Sequence, residues 1–124
     1  MADAALVLFA HGARDPEWAQ PFRRIQRAIR DRRPGLVVEV AFLEFMQPPL
    51  GEAVAKLAAD GHRRIVVAPL FMAQGSHVKR HVPDLVAGLR AAHPGVALDL
   101  LPALGDSDDI LGAIADWLVA AIAE

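Results

Sequence analysis

His11 and His77 each follow a short apolar run: Leu6-Val7-Leu8-Phe9-Ala10 leads into His11-Gly12, and Ile65 to Phe71 is followed by Gly75-Ser76-His77. Glu44 closes a third run, residues 36–43. If these runs are neighbouring parallel strands, all three side chains leave the same carboxyl edge of one sheet, where open α/β folds place their ligands. Two neutral imidazoles and a carboxylate suit a borderline divalent metal ion, and imidazoles accept protons near neutral pH. The chain has no cysteine, which excludes thiolate ligation, disulfides and cysteine nucleophiles.

The elements that must position these residues follow from hydrophobic patterning. Strand-length apolar runs at residues 5–10, 36–43, 64–71 and 96–101 alternate with helical patterns, which predicts βα units and a parallel sheet. The runs are mostly continuous, as expected of strands covered on both faces. Asp15-Pro16-Glu17 reads as a helix start, with Trp18, Phe22, Ile25 and Ile29 on one face. Pro21 would kink a helix that ran through it from Pro16. A second helix is expected over residues 49–60, stopping at Gly61, and a third over 83–92, beginning at Pro83. Ser107-Asp108-Asp109 starts a fourth, which continues through Ile110, Ile114, Trp117, Leu118 and Ile122.

Short connections and right-handed crossovers favour the strand order 2-1-3-4, a flavodoxin-like α/β sheet with helices on both faces. The switch point then falls between strands one and three. His11 would be flanked by Glu44 on one side and by the His77 loop on the other.

At 124 residues the chain is expected to form one domain, residues 1–124. A hydrophobic content of 54% is high for this length, which suggests an apolar face that meets a second copy. The formal net charge of -2 provides no global field for nucleic acid or an anionic membrane. No apolar run approaches the ~18 residues of a membrane span. Asp3 stands where a signal peptide would carry basic charge, so a cytoplasmic protein is expected.

Four stretches together carry a resemblance: Phe9-Ala10-His11-Gly12-Ala13-Arg14-Asp15-Pro16; Ala41-Phe42-Leu43-Glu44 with Pro48-Pro49-Leu50; Pro69-Leu70-Phe71 with Gly75-Ser76-His77-Val78; and Pro102-Ala103-Leu104-Gly105. In order and spacing, over nearly the whole chain, they resemble the motifs of the CbiX-type sirohydrochlorin chelatases, and the length resembles the short, homodimeric form. The resemblance implies a lyase that inserts a divalent metal, cobalt foremost and iron or nickel in relatives, into sirohydrochlorin during synthesis of cobalamin, siroheme or coenzyme F430. The metal would be substrate, with no organic cofactor. Matched residue by residue, the family's active-site histidines fall on His11 and His77, and its metal-side carboxylate on Glu44. Gly12, Arg14, Gly75 and Ser76 are the positions expected to meet the tetrapyrrole, whose carboxylates need cationic or amide donors. One departure stands out. Relatives often carry an acid four positions after the second histidine, and this chain has His81.

Plainer roles compete for several residues. His81 can cap or flank the third helix, Lys79 and Arg80 can be ordinary surface charge, and His62 and His93 read as exposed turn residues. A histidine phosphatase or mutase also uses a histidine after its first strand, but that chemistry wants arginine immediately before it, and the residue here is Ala10. A metal or tetrapyrrole carrier would use the same ligands without turnover.

Overall fold

The computed structural model describes residues 4–123. Strands β1 (Ala4–Ala10), β2 (Val37–Phe42), β3 (Arg64–Pro69) and β4 (Ala97–Leu100) form one parallel sheet in the order β2-β1-β3-β4. This is the predicted order. Helices α1 (Gln20–Arg32), α2 (Leu50–Ala59) and α3 (Ser76–Ala92) make the crossovers, and α4 (Asp108–Ile122) follows β4. None of these helices is long and apolar enough to cross a membrane.

Alternate residues of β1 and β2 feed two separate cores, whereas β3 and β4 contribute to only one of them. Val7, Phe9, Ile65, Val67 and Leu98 pack with Leu50, Val54 and Leu57 of α2 and with Val82 and Val86 of α3. On the opposite face Leu8, Ala10, Val38, Val40 and Phe42 meet Trp18, and Phe22 and Ile29 of α1. Burial on both faces explains why the strand sequences run as continuous apolar stretches. Ile25, assigned to that inner stripe by periodicity, is instead exposed at the edge of α1.

The two prolines that obscured the helices are accommodated differently. Residues Pro16–Ala19 form a 3-10 turn, capped by the Asp15 carboxylate, which accepts from the Glu17 N–H at 3.0 Å. The α-helix proper starts at Gln20, so Pro21 lies in its first turn, where its missing N–H has no intrahelical partner to lose. Pro83, by contrast, sits inside α3, which begins at Ser76 rather than at Pro83. An interior proline costs about 3 kcal/mol. Burial of Val82 and Val86, each contributing about 1.5–3 kcal/mol, offsets that cost and keeps the helix continuous.

The fourth helix starts as predicted, with the Ser107 hydroxyl accepting from the Ile110 N–H at 3.4 Å. Its apolar residues do not enter a core. No residue of α4 is buried, and Trp117 and Ile122 are 71% and 81% exposed. Correspondingly, the α1 side of β3 and β4 is only partly covered. There Ala68, Leu70, Leu101, Pro102, Leu104 and Ile110 form the apolar part of a groove of about 510 Å³, whose lining Asp106, Ser107 and Asp108 help to complete.

His62 and His93 are half-buried, not exposed as the sequence suggested. Both stand just past helix ends, where their N–H groups donate to the carbonyls of Leu57 and Leu89. The Asp3 reading lies outside the described residues.

Candidate functional site

The β1–β2 pairing does not stop where the strands do. Leu43 N donates to the Ala10 carbonyl at 2.9 Å, and Glu44 N donates to the His11 carbonyl at 3.0 Å. This backbone ladder sets Glu44 beside His11. Between His11 and the following helix, the chain turns through Gly12 at φ 98°. A Cβ at Gly12 would collide with the Glu44 carbonyl oxygen, so here glycine is required twice over, by conformation and by close approach.

His11 is exposed above the core, its ring edge-on to Phe71 at 5.9 Å, and Phe71 in turn packs on Phe9 at 5.5 Å. On the other side of the switch point, His77 is the second residue of α3, and His81 stands one turn further on. Their rings lie parallel, 5.8 Å between centroids and 6° between planes. His11, Leu43, Glu44, His77, Val78 and His81 line one cavity of about 340 Å³. The three donors expected from the sequence therefore share one cavity at the carboxyl edge, and a fourth joins them. Among the described residues, no three histidine or carboxylate side chains are already drawn together at ligating distance, and no ion pair engages Glu44. His11, Glu44 and the α3 histidines face an open space from three segments of the chain: the loop after β1, the loop after β2 and the start of α3.

The four positions expected to meet a tetrapyrrole differ in their support. Gly12 is buried under Glu44, as just described. Arg14 lies with its guanidinium carbon 5.0 Å from the Phe45 ring centroid, in cation–π contact. Gly75 and Ser76 open α3 and are exposed. Nothing at Gly75 requires glycine: its backbone is extended, at φ -67°, and a Cβ there would meet nothing within 4 Å. None of the four lines the histidine cavity. Arg80 Nε donates to the Ser76 carbonyl at 3.5 Å, an ordinary turn-to-turn contact within α3.

Two residues that sequence reasoning passed over stand beside the donors. Phe45 follows Glu44 directly, has φ 66° and is 59% exposed, while Met72 follows Phe71 and is 54% exposed. A positive φ on an aromatic residue is uncommon and signals a locally imposed conformation. For Phe45 the available sequence signal was adjacency to Glu44. The loop after β4 braces the second of these segments: Gly105 N donates to the Phe71 carbonyl at 3.0 Å, and a Cβ on Gly105 would collide with the Met72 carbonyl.

A sequence profile of the CbiX family matches residues 5–121. The chain is 34% identical over 89 residues to a sirohydrochlorin cobaltochelatase of Methanocaldococcus jannaschii, covering 72% of this chain and 62% of that protein. It is 39% identical over 82 residues to the sirohydrochlorin cobaltochelatase of Methanopyrus kandleri, covering 66% and 57% respectively. The matched region thus spans between 57% and 62% of these relatives' length. Among solved structures, a CbiX protein from Marinobacter aquaeolei VT8 superposes with a TM-score of 0.79 at 27% identity, over 96% of this chain and 97% of that one. With its sheet order, the placement of His11 and His77 at the carboxyl edge of that sheet and a profile match over nearly the whole described length, the chain belongs to the CbiX family.

Proposed function

We propose that this protein is a chelatase that inserts a divalent metal ion, cobalt in the first instance, into sirohydrochlorin. The observation that carries the reading is the single open cavity shared by His11, Glu44 and His77. The names of the curated relatives support the substrate pair.

Insertion removes two protons from pyrrole nitrogens and moves the ion from protein and water onto the ring. His11 and His77 offer nitrogen lone pairs that hold the ion weakly enough to release it and that, once the ion has moved to the ring, accept the departing protons. Glu44 offsets the ion's charge without enclosing it. The exposed faces of Phe45 and Met72 give a flat macrocycle apolar surface to rest on, and Arg14, held over Phe45, supplies a cation for a substrate carboxylate. Gly12 sets the close approach of the two loops, while Gly75 and Ser76 present the start of α3 to the substrate edge.

The direct test is the visible spectrum of metal-free sirohydrochlorin mixed with Co²⁺, with and without protein. Faster conversion to the metallated spectrum is expected with protein, with Fe²⁺ and Ni²⁺ run alongside to rank the metals. No acceleration with any of the three would overturn the chelatase reading and favour a carrier, which binds without turnover.

The protein acts as a homodimer in this reading. The exposed apolar residues of α4 and the partly covered face of β3 and β4 are complementary deficits within one chain. At about 1.5 Å per residue, the 15-residue α4 is long enough to cross both strands of a second copy. Light scattering is expected to give the mass of two chains at micromolar concentration, and Leu118→Asp is expected to shift it toward one. A wild-type monomer at every working concentration would sink the dimer.

A further inference from the structure

We propose that His81 is an additional imidazole ligand to the incoming metal ion, acting with His77 as a chelating pair on one face of α3. The inference rests on the chelatase reading, because it takes His77 as a metal donor. Its structural basis is the position of the helix start. Because α3 begins at Ser76 and runs unbroken past Pro83, residues 77 and 81 stand one turn apart on a single rigid element. Val82, 2% exposed, and Val86, fully buried, fix the rotation of that helix, so its backbone cannot turn the 81 position away from the cavity without opening the core.

The geometry suits a shared ion. The two rings are parallel within 6° at 5.8 Å, and both border the cavity that His11 and Glu44 border from the other side. Metal–imidazole bonds are about 2 Å long, so two nitrogens of one ion stand roughly 3–4 Å apart. Modest side-chain rotations bring these rings from stacking to that separation, at about 0.5–1.5 kcal/mol for each off-rotamer angle. A structural role has less to support it. His81 is the sixth residue of a seventeen-residue helix, too far in to cap either end. It is exposed, and among the described residues its imidazole has no hydrogen bond or ion pair, only the stack on His77.

The chemical consequence is a site richer in nitrogen than one with a carboxylate at this position. Nitrogen donors favour ions late in the divalent series, cobalt and nickel, over iron. His81 would thus bias metal choice.

The test measures Co²⁺ binding without tetrapyrrole, by competition with a chromophoric chelator, for wild type and for His11→Phe, His77→Phe and His81→Phe. Phenylalanine keeps an aromatic ring at each position and removes its nitrogens. His81→Phe is expected to weaken Co²⁺ binding about tenfold or more. In parallel, proton NMR of the wild-type Co²⁺ protein is expected to show three exchangeable, strongly shifted imidazole N–H signals, falling to two in His81→Phe. Two signals in the wild type would overturn the proposal whether or not the variant folds. Wild-type affinity in His81→Phe, with losses in His11→Phe and His77→Phe, would remove His81 and leave the chelatase site standing. Unchanged affinity in all three variants would overturn the metal site itself, and this inference with it.

Discussion

Replacing His11 or His77 by alanine is expected to slow cobalt insertion into sirohydrochlorin by at least about 100-fold while leaving the fold intact, since a positioned proton acceptor contributes roughly 10²–10⁴ in rate. Both side chains are exposed at the carboxyl edge, so neither truncation opens a cavity in the core. The local loss is confined to the edge-on contact with Phe71 for His11 and to the stack on His81 for His77. If the pair acts as one unit, the double variant will be hardly slower than either single one. Initial rates at saturating Co²⁺ and sirohydrochlorin, with far-UV circular dichroism as the fold control, decide the matter. Rates within twofold of wild type in both single variants would take the histidines out of the mechanism.

The second large effect is expected at Gly12. An alanine there must adopt φ 98° and push its Cβ into the carbonyl oxygen of Glu44, a backbone atom that cannot step aside as a side chain can. Relief requires parting the two loops and breaking the Glu44 N to His11 O bond, so stability and the site fail together. The combined strain is expected to cost at least about 3 kcal/mol, within the range of severe single substitutions. For a chain of this size that lowers Tm by about 10 °C. Gly75→Ala is the matched control: its φ of -67° and open surroundings admit a methyl group, and Tm should hold. Equal melting temperatures for Gly12→Ala and wild type would contradict the close approach of the loops.

Strand order and the edge location of His11, Glu44 and His77 were legible because they follow from coarse regularities, namely apolar runs, short connections and crossover handedness. The start of α3 was not, because a proline was weighed by its local cost alone, whereas Val82 and Val86 are held by a core assembled from β1, β3 and α2. Pro21 misled in the opposite direction: a 3-10 turn let the α-helix begin at the one place where proline fits. For α4 the sequence correctly showed an apolar helix but carried no record of what would cover it. Phe45 could not be anticipated either, since its positive φ belongs to a γ-turn in which Met46 N donates to the Glu44 carbonyl, and neither glycine nor asparagine marks the spot.

The hydrogen bond between Glu44 N and His11 O has a bearing on how such a site can change over generations. It is made entirely by main chain, so any L-residue except proline at position 44 preserves it, just as any helix-compatible residue at 77 or 81 preserves the course of α3. The frame that spaces the donors is therefore written in glycine, buried valine and backbone pairing, while the donors are interchangeable attachments. If the proposed ligand set is right, a lineage can swap oxygen for nitrogen at one position, and with it the preferred metal, without passing through an unfolded intermediate sequence.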